Sequence, residues 1–318
     1  MDAHRALVRR APVKRAAAVL AAVLLCAMLV RAGATSVAQY PRDMGAGPAG
    51  PPLRETQGVW SMRPVHFVGL GDSVTAGFGA RDGYGYFDRI VRDPVDGSSL
   101  RRVFPKLMVE NRAVSGSTSV GHVRQVADMP VTAPDVLGWV VMTTGGNDLI
   151  HNYGRTPPRA DAMYGASTVQ ARPWIAAFEA RLDGMLRTIS SKFPGGCRIF
   201  LATIYDPTDG VGDIERAGLP PWPDGEQILA AYNDVIRRVA RRHEMVRVVD
   251  VHGLFLGHGL HCKDRALKYY RPEDPHYWYY ANLEDPNERG YDALRRLFLN
   301  EMAAAGVPRK SARSPQSR

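Results

Sequence analysis

A short apolar run from His66 to Leu70 ends in Gly71-Asp72-Ser73, and small residues follow. The run predicts a buried strand, and its glycines permit a sharp turn at the end. A serine on such a turn can present its hydroxyl at the rim of a sheet, where it can act as a nucleophile. A second apolar run, Asp135 to Thr144, ends in Gly145-Gly146-Asn147-Asp148. Between the two, Asn111-Arg112-Ala113-Val114-Ser115-Gly116 follows a third strand candidate. Ser73, Gly116 and Asn147 thus each lie just past a strand. Ligands of open parallel sheets bind beyond the carboxyl ends of the strands, so the three residues are expected on one rim. Each also has a simpler reading: a helix-capping serine, a turn glycine and an N-cap asparagine.

Five strand candidates must position these residues: His66–Leu70, Lys106–Asn111, Val136–Thr143, Arg198–Ile204 and Val246–Val251. Helical periodicity runs through Trp174, Ile175, Phe178, Leu182, Met185, Leu186 and Ile189. It returns from Ile228 to Val239, and again at Tyr291, Leu294, Leu297 and Phe298. Alternating strands and helices predict an α/β sandwich, a mostly parallel five-stranded sheet between two helical layers.

The formal net charge is +9, but its location excludes a basic nucleic-acid-binding face. Residues 1–31 hold six Arg/Lys and one Asp, and Arg309 to Arg318 holds four Arg/Lys and no acid. The central region is therefore near neutral. Arg5, Arg9, Arg10, Lys14 and Arg15 precede a run of 15 apolar residues, Ala16 to Val30, with small residues after it. This predicts an export signal over 1–34, cleaved or retained as a membrane anchor, and a secreted or extracytoplasmic protein. The run is short for a spanning helix. A Pro/Gly-rich linker is expected over 35–62, a single domain over 63–306 and a disordered basic tail over 307–318. Cys197 and Cys262 are expected at opposite ends of a parallel sheet, hence as free thiols.

The three motifs together resemble the GDSL, or SGNH, hydrolase family. Gly71-Asp72-Ser73 matches its first block, Asn111 to Gly116 its second and Gly145 to Asp148 its third, in the family's order and spacing. The resemblance covers Pro64 to Ala305 and implies a flavodoxin-like sheet. It also implies ester hydrolysis through an acyl-Ser73 intermediate, with no cofactor. Backbone N–H groups of Ser73 and Gly116 and the Asn147 amide would then hold the oxyanion, one such donor lowering the barrier by about 3 kcal/mol. The substrate would be a small-molecule, lipid or glycan ester, and only the N-terminal segment would meet a membrane. Gly69-x-Gly71 is followed by Val74 where a dinucleotide fingerprint needs glycine.

The last block departs from the family pattern. The family's histidine position holds Asp285 and its aspartate position holds Asn282, in Asn282-Leu283-Glu284-Asp285-Pro286-Asn287. Asp285 to Glu288 itself reads as a capping box with proline at the first helical position. The preceding loop carries His252, His258, His261 and His276. His276 is the favoured base, oriented by Asp285 or Asp274, with His258 as the alternative. His258, His261 and Cys262 lack the second pair that a zinc site needs, so no metal is expected. The aromatic residues from Tyr269 to Tyr280 could pack the loop or form a ligand platform. The displaced base leaves two rivals open: a catalytically impaired binding protein, and an acyltransferase or deacetylase acting on an extracytoplasmic glycan.

Overall fold

Val65–Leu70 (β1), Leu107–Asn111 (β2), Leu137–Met142 (β3), Cys197–Ala202 (β4) and Val246–Val249 (β5) form one parallel sheet in the order β2-β1-β3-β4-β5. This is the flavodoxin-like order, in which consecutive strands reverse direction of travel across the sheet on either side of β1. The computed structural model describes residues 47–51, 56, 58–93 and 99–306. The expected signal or anchor, residues 35–46 of the linker and the basic tail lie outside the described residues. Among the described residues no helix is long and apolar enough to cross a membrane.

Side-chain alternation along the strands divides the core in two. Val68, Leu70, Val140, Met142, Ile199 and Leu201 point to one face. There they meet Ser119–Ala127 (α4), Thr168–Lys192 (α6) and Gly225–Ala240 (α7). Val65, Phe67, Trp139, Val141, Phe200 and Val249 point to the other. They meet Tyr86–Val91 (α2), Leu100–Val103 (α3), Val251–Phe255 (α8) and Glu288–Ala305 (α9). A strand buried on both faces must be apolar at every position, which is why β1, β3 and β4 read as continuous runs. The edge strand β2 is half exposed and correspondingly carries Glu110 and Asn111. The expected linker ends early: Trp60 packs on Phe104 and Trp139, with ring centroids 5.6 and 5.8 Å away.

The strand order explains the convergence of the motifs. β1 pairs with β2 on one side, Gly69 opposite Asn111, and with β3 on the other, Leu70 opposite Met142. The three turns that follow β1, β2 and β3 therefore leave the sheet side by side. Two short helices begin there, Ser73–Ala76 (α1) and Gly146–Ile150 (α5).

Gly71, between β1 and α1, has φ +124°, and a Cβ there would stand 2.1 Å from the carbonyl oxygen of Thr143. Backbone cannot yield to such an approach as a flexible side chain can. Gly71→Ala is expected to destabilise the protein by about 2–4 kcal/mol, combining backbone strain with overpacking. Thermal melts should then show Tm lower by on the order of 10 °C. A variant melting with the wild type would mean that the turn can relax.

Candidate active site

Asp72 and Thr143 build the turn that carries Ser73. The Asp72 carboxylate accepts the Val74 N–H at 3.2 Å and so caps α1, while the Thr143 hydroxyl donates to it at 2.8 Å. Thr143 also meets Thr75 Oγ1 at 2.9 Å, and Thr75 meets the Tyr86 hydroxyl at 2.7 Å. With the cap supplied by Asp72, the Ser73 side chain is left available. It is buried, at 8 % exposure.

Gly116 lies in the loop after β2 with φ +77°, a conformation that favours glycine. The next residue ties this loop to the turn that carries Ser73. Ser117 Oγ lies 3.0 Å from the Gly71 carbonyl oxygen and 2.9 Å from His122 Nε2. The Gln125 amide accepts the Gly71 N–H and donates to the Gly71 carbonyl, both at 2.9 Å, and also donates to Ser117 Oγ at 3.2 Å. His122 Nδ1 reaches Thr144 Oγ1 at 2.7 Å. Burial pulls His122 down to about 4, so the ring is neutral at neutral pH, with one N–H and one acceptor between the two hydroxyls.

Asn147 is not the cap of α5, because Gly145 occupies that position. Its Nδ2 donates to the Ser117 carbonyl oxygen at 2.9 Å, which fixes the amide and leaves a second N–H for a ligand. Asp148 turns away and accepts from Ser119 N and Oγ at 2.8 and 2.5 Å.

Asp285 does not cap α9 as a capping box would require. Asn287 is the cap, its side-chain oxygen accepting the N–H groups of Arg289 and Gly290 at 3.0 and 3.1 Å. A proline between the two residues places Asn287, rather than Asp285, next to the free N–H groups. Asp285 is buried at 1 % exposure, and its Oδ2 accepts from Asn282 Nδ2 at 2.6 Å. Its Oδ1 has no partner in hydrogen-bond geometry. Burial pushes the carboxyl above its ordinary value of 3.8, opposed by the neighbouring Ser73 hydroxyl and by Asn282.

The structure brings Ser73, Asn147 and Asp285 together and places Gly116 on the adjoining loop, but it does not bring His276 to Ser73. His276 Nδ1 is 2.5 Å from Asp274 Oδ1, which also pairs with Arg289, and its side chain is 57 % exposed. Between His276 and Asp285 the chain is anchored by buried Trp278 and Tyr279, which pack on Phe255. His258 stacks on Trp278 with centroids 3.4 Å apart, and His252 Nδ1 faces the Ile204 carbonyl at 3.0 Å. His261 Nε2 pairs with Asp213 at 2.9 Å. The aromatic cluster thus packs the loop. The polar turn after β4 holds that loop in place: the Asp209 carboxylate accepts from Gly257, Gly259 and His261 N–H groups at 2.8–2.9 Å.

Ser73 and Asn147 open onto a cavity of about 150 Å³. Ile150, Tyr153, Leu219, Trp222 and Leu229 give it an apolar wall, part of it from the loop after α5. Among the described residues every charged residue lining it is acidic: Asp72, Asp206, Glu226 and Glu284. Burial, then the adjacent Asp206, raise Glu226 to about 7, and burial, then Asp285, raise Glu284 to about 7. Among the described residues no cluster of three or more His, Cys, Asp or Glu is placed to hold a metal. Cys197 and Cys262 are both free and buried. Sequence reasoning missed Gln125, His122, Thr143 and Glu226. Of these only Thr143, directly after a strand, carried any positional signal.

Burial lifts Asp72 from 3.8 to about 6. Its folded pKa exceeds its unfolded one, so between pH 4 and 6 the folded state holds the extra proton and stability falls as pH rises. The loss amounts to about 3 kcal/mol above pH 6. Asp72→Asn keeps the acceptor for Val74 and Thr143. The difference in unfolding free energy between variant and wild type should therefore move in the variant's favour as pH rises from 4 to 7. A difference independent of pH would refute the assignment.

A family model described as the GDSL-like lipase/acylhydrolase family matches residues 70–293. A comparison with curated proteins gives no match. Solved structures similar in fold include a lipolytic protein of the G-D-S-L family from Veillonella parvula DSM 2008. It is 14 % identical over 74 % of this chain and 97 % of its own, with a TM-score of 0.46. LAE5, an alpha/beta hydrolase enzyme from the metagenome of Lake Arreo, Spain, is 20 % identical over 78 % of this chain and 98 % of its own, with a TM-score of 0.47. Axe2, an acetylxylan esterase from Geobacillus stearothermophilus, is 19 % identical over 77 % and 95 %, with a TM-score of 0.48. The matched span from 70 to 293 takes in the last residue of β1 and all of β2 to β5, together with Ser73, Gly116, Asn147 and Asp285, and the chain belongs to the GDSL-like lipase/acylhydrolase family.

Proposed function

We propose that this protein is an exported serine esterase that hydrolyses carboxylic esters through an acyl-Ser73 intermediate. The observation that carries the reading is the opening of Ser73 and Asn147 onto one cavity at the carboxyl rim of the sheet. Ser73 Oγ attacks the ester carbonyl. The Ser73 and Gly116 N–H groups and the free N–H of Asn147 Nδ2 take up the charge on oxygen, in positions set before substrate arrives by Ser117, His122 and Gln125. Preorganisation matters because such donors contribute only when they need not move as the charge develops. The apolar wall suits the acyl chain of a small-molecule or lipid ester. The acidic lining disfavours esters that carry carboxylate or phosphate groups. Export rests on the cationic segment and the 15-residue apolar run at the N-terminus.

One observation favours a second reading, a binding protein that has lost catalysis: among the described residues no histidine lines the cavity. Fluorophosphonate labelling and hydrolysis of p-nitrophenyl acyl esters separate the two. The wild type should label at Ser73 and turn over, and Ser73→Ala should lose at least ~1000-fold in kcat/KM with no label. Turnover that survives in Ser73→Ala would reject the nucleophile.

A further inference from the structure

Within the serine-esterase reading, and resting on it, we propose that Asp285 itself is the proton acceptor for Ser73, so that the site works as a serine–aspartate dyad without histidine. The geometry leaves little else for this carboxylate to do. It is buried, it does not cap α9, and one oxygen is fixed by Asn282. The other oxygen has no partner in hydrogen-bond geometry within a residue 1 % exposed, and besides Asn282 the Ser73 hydroxyl is the side chain that acts on the carboxyl. A buried acceptor lacking a partner is costly, and the cost is relieved if the acceptor takes a proton during reaction. Resting contacts of this kind are commonly long and tighten when substrate binds.

Surrounding groups support the role. Asp72 faces Asp285 from the β1–α1 turn, Glu284 precedes it, Tyr205 approaches from the end of β4 and Tyr291 from α9. None is a cation. Burial holds Asp285 above an ordinary carboxylate, against the opposing Ser73 hydroxyl and Asn282, which makes it a stronger base than an exposed aspartate. Tyr205 donates its hydroxyl to the Glu284 carbonyl, and Tyr280 N–H donates to the Asp285 carbonyl at 2.7 Å. The backbone on either side is therefore held while the carboxyl changes state.

The step balances. The Ser73 Oγ–H proton passes to Asp285 Oδ1 as Oγ bonds the carbonyl carbon and the carbonyl electron pair moves to oxygen. Collapse of that intermediate breaks the ester C–O bond, and the Asp285 carboxylic acid returns the proton to the departing alcohol. Water then attacks the acyl-Ser73 carbonyl, again with Asp285 as acceptor, and the acid product leaves as Ser73 regains its proton.

The test is the rate of fluorophosphonate labelling of the full chain against pH, with ester turnover in parallel. Asp285→Asn should slow labelling about 100-fold or more, whereas His276→Ala should stay within about twofold of wild type. Asp285→His should label, with its pH limb moved toward ~6.5, the ordinary histidine value. In the wild type a single ascending limb should survive Glu226→Gln and Glu284→Gln. The dyad is overturned if Asp285→Asn labels at the wild-type rate with an intact melting transition, or if His276→Ala abolishes labelling. Should Asp285→Asn fail to fold, the limb of Asp285→His decides: one that coincides with the wild type overturns the dyad. Loss of labelling at Ser73 in the wild type would instead defeat the serine-esterase reading, an outcome separate from any behaviour of the Asp285 variants.

Discussion

Gly71 is held on both sides of its backbone. Its N–H and its carbonyl both bond to one amide, that of Gln125, while Thr143 lies too close for any side chain. Every other part of the site is referred to this point. Asp72 caps α1 only because the chain turns there, and Ser73 is freed from capping because Asp72 does it. The same Gln125 touches Ser117, whose carbonyl receives the Asn147 amide. A serine, a glycine loop and an asparagine from three strands are thus linked through few bonds. Most of these are neutral hydrogen bonds within or beside the core, where low dielectric strengthens them and an unmade one is costly.

The cavity is unusual in its charge. Among the described residues four acidic side chains line it, and a fifth, Asp285, neighbours Ser73. Crowding like charges in a buried place raises their pKa values instead of leaving all of them ionised. Burial first, with like charges adding to it, raises Glu226 and Glu284 to about 7 and Asp72 to about 6. The site is therefore less negative near neutral pH than its composition implies. An apolar wall and partly protonated carboxyls together make the cavity more receptive to uncharged groups than its composition implies.

Much of the fold was legible in the chain itself. Burial on both faces makes β1, β3 and β4 apolar at every residue, and amphipathic periodicity marks α6, α7 and α9. The positions of Ser73, Gly116 and Asn147 at the carboxyl rim were legible too, because each follows a strand by a few residues and glycines mark the turns. The edge strand β2 was the weakest signal and is the most exposed. His276 misled because proximity in sequence to Asp285 says nothing about where Trp278 and Tyr279 anchor the intervening chain. Gln125 and His122 carry no local signal, since both act across the helix–strand contact and not within their own segment.

The chain by itself determined the strands, their order of use and the residues at their carboxyl ends, since hydrophobic pattern and turn glycines are local properties. Tertiary structure decided which groups meet. It placed β1 between β2 and β3, gave the α9 cap to Asn287, tied His276 to Asp274 and Arg289 at the surface, and left one oxygen of Asp285 without a partner beside Ser73. Those outcomes depend on packing and hydrogen-bond competition between segments far apart in sequence, which no local pattern records.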